Sequence, residues 1–127
     1  MKVLLVDDEE KFALMLAKRL ELRGINTAVF FSGEQALGTV EQGNRFDVAI
    51  LDVKMPGIGG IDLKRRLRQL DERMKFVFLT GHGSTIDNAA VDQEVENCLP
   101  KPLQIDVLIE TLNRLTEGPH GASDRND

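Results

Sequence analysis

Three carboxylates, a hydroxyl and an ammonium stand at the ends of apolar runs in this chain. Asp7 and Asp8 follow Val3-Leu4-Leu5-Val6, and Asp52 follows Val48-Ala49-Ile50-Leu51. Thr80 follows Phe76-Val77-Phe78-Leu79, and Lys101-Pro102 comes just after Cys98-Leu99. If each run is a parallel strand, all of these groups emerge at one edge of one sheet. That set suits reversible phosphorylation of an aspartate. Two carboxylates about 4 Å apart repel by about 4 kcal/mol at an effective dielectric of 20, so a cluster of three calls for a compensating cation. Mg2+, or Mn2+ in its place, fits best, because it takes oxygen ligands, keeps waters and pairs one or two carboxylates with substrate phosphate.

Each residue also has a plainer reading. Asp7 and Asp8, with Glu9 and Glu10, suit the N-terminal end of a helix, where a cap and negative charge are both favourable. Lys101 alone would be an ordinary surface lysine, but Pro100 and Pro102 restrict its backbone and hold it in one place. Thr80 could simply be a β-branched strand end. In the pocket its hydroxyl would hydrogen-bond a phosphoryl oxygen, and Gly81 and Gly83 leave room for a ligand.

The elements that must position these groups alternate along the chain. Strand-like runs fall near residues 2–6, 27–31, 47–51, 75–79 and 96–99, and helical periodicity near 9–23, 33–43, 60–71, 84–93 and 103–116. The last segment is the clearest, with Ile105, Leu108, Ile109, Leu112 and Leu115 on one stripe. Phe12, Leu16 and Leu20 are in register on the first, and Gly24 is placed to end it in a left-handed conformation. Ser32 with Gln35 resembles a capping box for the second. Continuous apolar runs in the first, third and fourth strands are expected when helices cover both faces of a sheet. Alternating β and α units imply an α/β fold with a parallel sheet and right-handed crossovers, five helices flanking five strands. In such sheets ligands bind beyond the carboxyl ends of the strands, where the strand order switches.

Composition narrows the class. A chain of 127 residues with 42% hydrophobic and 29% charged residues is long enough for one domain with a real core. No apolar stretch approaches the roughly 18 residues of a membrane span. The absence of a signal-peptide pattern and a single cysteine make a cytoplasmic location the expectation. A net charge of −5 argues against non-specific nucleic-acid binding by this domain. One basic cluster, Lys64, Arg65, Arg66 and Arg68 continued by Arg73 and Lys75, reads as a solvated helix face or as a docking surface for an acidic partner. Residues 118–127 read as a disordered polar tail or the start of a linker, with the domain at 1–117.

The motifs Val6-Asp7-Asp8-Glu9, Leu51-Asp52-Val53-Lys54-Met55-Pro56-Gly57, Gly59-Gly60, Leu79-Thr80-Gly81 and Leu99-Pro100-Lys101-Pro102 appear in order, each tied to a strand end. Together they resemble the receiver domain of two-component response regulators over roughly residues 2–116. Aspartate-first phosphatases would need a second aspartate two positions after Asp52, where this chain has Lys54. The resemblance implies a flavodoxin-like, doubly wound sheet of order 2-1-3-4-5. It implies that Asp52 accepts a phosphoryl group from a sensor histidine kinase or phosphotransfer protein. Asp8 would ligate the metal directly and Asp7 directly or through water, with Asp52 and the backbone carbonyl of Lys54 completing the protein ligands. Thr80, Gly81 and Lys101 would bind the phosphoryl oxygens, and the Lys101–Pro102 bond would be cis. The domain would be a signalling phosphoacceptor rather than a metabolic enzyme, acting through dimerisation or an output domain.

Two departures qualify the match. Receivers usually carry an aromatic residue three positions before the lysine; this chain has Cys98, read here as a small core residue with a redox role as the alternative. The segment between Thr80 and Lys101 is slightly short and lacks the usual glycine, and Asp87-Asn88-Ala89-Ala90-Val91-Asp92 offers a thin apolar stripe, so a short or mobile helix is predicted at 84–93. The competing reading is a binding module that signals without phosphate, through the face formed by that segment, the fifth strand and the last helix.

Overall fold

The computed structural model describes residues 1–81 and 97–125, the last eight of these as backbone alone. In chain order the elements are β1 (Lys2–Val6), α1 (Glu10–Leu22), β2 (Asn26–Phe30), α2 (Gly33–Glu41), β3 (Val48–Asp52), α3 (Gly60–Leu70), β4 (Lys75–Thr80), β5 (Cys98–Pro100) and α4 (Ile105–Arg125). All five strands are parallel, in the order β2-β1-β3-β4-β5. The expected α/β sheet and its strand order are therefore present. The helix expected at 84–93 lies outside the described residues, which contain four helices.

Alternation along the inner strands divides the core into two layers. Leu4, Val6, Ala49, Leu51, Phe76 and Phe78 point to one face and pack on Ala36, Leu37 and Val40 of α2 and Leu63 and Leu67 of α3. Val3, Leu5, Val48, Ile50, Val77 and Leu79 point to the other, against Leu16 and Leu20 of α1 and Leu108 and Leu112 of α4. Covering both faces requires apolar residues at successive positions, which is why these strands read as unbroken runs. Burying each large aliphatic side chain contributes about 1.5–3 kcal/mol, so the strand ends are anchored by the best-packed part of the molecule.

Local signals fix the joints. Gly24 has φ +80, a conformation that costs a residue with a Cβ about 1–2 kcal/mol, and it turns the chain from α1 toward β2. Ser32 Oγ accepts the Gln35 N–H at 3.2 Å and caps α2. At the far end, α4 continues to Arg125, past Glu117 where the sequence predicts a tail. The apolar stripe stops at Leu115, so periodicity marks where packing ends, which is not where the helix ends. Among the described residues no helix is long and apolar enough to cross a membrane.

Candidate functional site

The carboxyl ends of β1 and β3 bring Asp7 and Asp52 side by side. Val6 pairs with Leu51, so the next residue on each strand stands at the same level of the sheet edge. The Asp7 N–H donates to the Phe30 carbonyl at 3.1 Å, which extends the β1–β2 pairing by one residue and fixes the loop. Asp7 is fully buried and Asp52 nearly so, while Asp8 is exposed. One carboxylate oxygen from each of the three lies within 4.8 Å of the others.

Helix α3 is pressed against the back of Asp52. A Cβ on Gly60 would sit 2.3 Å from the Asp52 carbonyl oxygen, closer than any side chain can approach. The Gly60 N–H donates to the Val53 carbonyl at 3.0 Å, and the Val53 N–H donates to the Leu79 carbonyl at 3.0 Å. The glycine pair before α3 thus lets a helix start directly behind the acid. The Lys54 N–H donates to Asp52 Oδ1, weakly, at 3.4 Å.

Lys101 arrives from β5. Its N–H donates to the Thr80 carbonyl at 2.8 Å, and the Lys101–Pro102 bond is cis. Its ammonium lies 2.9 Å from Asp7 Oδ2 and 3.9 Å from Asp52 Oδ2, and also contacts Glu9 Oε1. The Phe12 ring centroid stands 4.4 Å from the same nitrogen, within range of a cation–π attraction. Glu9 and Phe12 were not singled out from the sequence as parts of this site. Their i, i+3 spacing puts them on one face at the start of α1, but only the path of the loop after β5 shows that this face meets Lys101.

Thr80 ends β4 and Gly81 follows it. Burial pushes the Cys98 thiol up, and the Thr80 hydroxyl beside it partly offsets this. Cys98 is exposed, so the expectation of a core residue is corrected. It lies on a three-residue strand at the edge of the sheet, and an edge strand buries only the side of each residue that a neighbour covers. The basic cluster lies on α3, the turn after it and the first residue of β4, Lys75. There Arg66 pairs with Asp62 at 3.3 Å and Arg68 covers the Phe76 ring at 5.2 Å.

The electrostatics of the pocket are out of balance. Burial, then repulsion from Asp7, raises the Asp52 pKa to about 7, against the opposing pull of Lys101 and the Lys54 N–H. Burial pulls the Lys101 ammonium down, but Glu9, Asp7 and Asp52 more than offset this, and its pKa is raised. Asp7 Oδ2 is buried and makes no hydrogen bond; its contact with the Lys101 ammonium at 2.9 Å is an ion pair. A buried carboxylate oxygen without a hydrogen bond, beside two further carboxylates, is a donor set suited to a hard divalent cation. The residues present therefore fit such an ion.

Comparison with known proteins agrees with this geometry. Residues 3–113 match the family model described as the response regulator receiver domain. The chain is 33% identical over 120 residues to the transcriptional regulatory protein CpxR of Escherichia coli, covering 94% of this chain and 50% of that protein. It thus spans about half the length of the curated relatives it matches. Among solved structures, the receiver domain of a Francisella response regulator is 33% identical, with a TM-score of 0.78 and coverage of 91% of this chain and 96% of that one. The response regulator TrrA of Thermotoga maritima, solved in complex with Mg2+ and BeF, is 28% identical with a TM-score of 0.78, covering 90% and 97% respectively. From its strand-end acids to its sheet order, the chain belongs to the response regulator receiver domain family.

Proposed function

We propose that this domain accepts a phosphoryl group on Asp52, from a sensor histidine kinase or a phosphotransfer protein, in a reaction that depends on Mg2+ or Mn2+. The observation that carries this reading is the convergence of Asp7, Asp8 and Asp52 within 4.8 Å beside the Lys101 ammonium. Asp7, Asp8, Asp52 and the Lys54 carbonyl would hold the metal, which when bound neutralises charge on the phosphoryl oxygens. Asp52 attacks in line, and Lys101 meets the developing negative charge from the β5 side. A carboxylate is a weak nucleophile toward an anionic donor, so positioning and charge neutralisation carry the step. Thr80 and Gly81 bind the phosphoryl oxygens.

The domain is a signalling switch that catalyses only its own phosphorylation and dephosphorylation. Its curated relatives are transcriptional regulators about twice its length, consistent with an output domain or a dimer as the downstream partner and with a cytoplasmic location. Neither membrane nor nucleic acid is contacted by this domain itself. The test is incubation with Mg2+ and acetyl phosphate, followed by intact-mass measurement. Wild type should gain one phosphoryl group, and Asp52→Asn should gain none. Absence of any gain in the wild type with metal present would rule the reading out. Partner binding that ignores both Asp52→Asn and metal removal would instead favour a phosphate-independent binding module.

A further inference from the structure

Lys101 is held by more carboxylates than phosphoryl transfer requires. Asp7 and Asp52 already flank its ammonium at 2.9 and 3.9 Å. Glu9 adds a third contact from outside the pocket. Glu9 occupies the N-cap of α1, yet its side chain makes no capping hydrogen bond; it reaches across to Lys101 instead. Phe12, on the same face of the helix, supplies the ring under the ammonium. Together they draw the lysine toward α1 and away from Asp52. An ammonium has three donors, and the one committed to Glu9 is withheld from an oxygen on Asp52.

We propose that Glu9 is a positioning residue that competes with the phosphoryl group for Lys101, and so slows the uptake of phosphate by Asp52. The inference rests on Asp52 as the phosphoacceptor. With acetyl phosphate as donor, a bond forms between phosphorus and an Asp52 carboxylate oxygen. The bond from phosphorus to the donor's acyl oxygen breaks, and its electron pair leaves as acetate; no proton moves. Lys101 assists by turning from Glu9 to the oxygens of the phosphoryl group in flight. The Glu9 side chain is 61% exposed against 11% for Lys101, so the pair is solvent-screened and easily parted. Glu9 is a brake of a few-fold, not a lock.

The experiment compares wild type, Glu9→Gln and Glu10→Gln by initial rate of phosphorylation with Mg2+ and acetyl phosphate. Glu10, exposed in the first turn of α1, controls for the loss of one negative charge near an anionic donor. Glu9→Gln should react about three to five times faster, with Glu10→Gln within about 1.5-fold of wild type. An unchanged or slower Glu9→Gln, or equal acceleration in both variants, would overturn the proposal. A second readout needs no phosphate: acylation of Lys101 in metal-free protein, followed by peptide mass, should rise about threefold in Glu9→Gln. Unchanged labelling overturns the clamp whatever the phosphorylation rates. If labelling rises but wild type takes up no phosphoryl group, the phosphoacceptor reading fails and the competition fails with it, while the contact itself stands.

Discussion

The two edges of the sheet use acidic residues in opposite ways. At the amino ends of the strands, Asp47 is fully engaged. Its carboxylate accepts the Lys2 N–H at 2.7 Å, its own N–H donates to the Lys2 carbonyl at 2.8 Å, and its carbonyl accepts the Lys75 N–H at 3.0 Å. Beside it lies the larger hollow, about 570 Å3, lined by Arg45, Arg73 and Lys75 as well as Asp47 and Asp71. At the carboxyl ends, Asp7, Asp8 and Asp52 crowd together, one of their oxygens buried and without a hydrogen bond. The hollow has mixed charge, whereas the crowded edge has a smaller hollow, about 210 Å3 beside Glu9, Phe12 and Lys101, and three clustered carboxylates. Size alone would point away from the edge where the acids converge. A site that receives a phosphoryl group from another macromolecule has no need to enclose it.

The largest effect expected from this contrast is with pH. Asp52 stands at about 7 in the folded chain against an ordinary value of 3.8. Between those values the folded state holds a proton that the unfolded state has released. Stability without metal should therefore be highest below the lower value and fall as pH rises through the upper one. Mg2+ should reverse that loss, raising the melting temperature more at pH 8 than at pH 5, as thermal unfolding with and without the ion would show. A metal effect independent of pH would mean that the crowded acids are not the site of the imbalance.

Next in size is Gly60→Ala, which drives a methyl group into the Asp52 carbonyl. It should lower stability by about 2–3 kcal/mol, read as a lower urea midpoint, and slow phosphorylation by displacing Asp52. The smallest effect belongs to the other edge. Asp47→Ala removes the acceptor of the Lys2 N–H and should cost about 1 kcal/mol, with Mg2+ affinity unchanged. A change in Mg2+ affinity there would show that the two edges are coupled through the strands.

Much of this was legible in the sequence because strand ends can be read from apolar runs. Val3–Val6 and Val48–Leu51 announce their ends by the first charged residue, and that residue is the one that joins the acidic cluster. Ser32 and Gly24 mark joints through chemistry confined to a few neighbouring residues. What depends on approach between distant segments was not legible. Glu9 and Phe12 meet Lys101 only because the loop after β5 reaches the start of α1, across 92 positions in the case of Glu9. Cys98 looked like core because cysteines usually are, and only its place on a short edge strand puts it outside. The extension of α4 to Arg125 escaped because the pattern that places helices is a packing pattern. The segment expected to form a helix at 84–93 lies outside the described residues.

The exposed thiol beside Thr80 has a practical side. Cys98 is the only cysteine in the chain, and it stands beside the hydroxyl proposed to bind the phosphoryl group on Asp52. A small environment-sensitive dye attached there would need no engineered handle and no removal of competing thiols. It would turn the occupancy of the aspartate into a change in fluorescence, read in real time from the natural sequence.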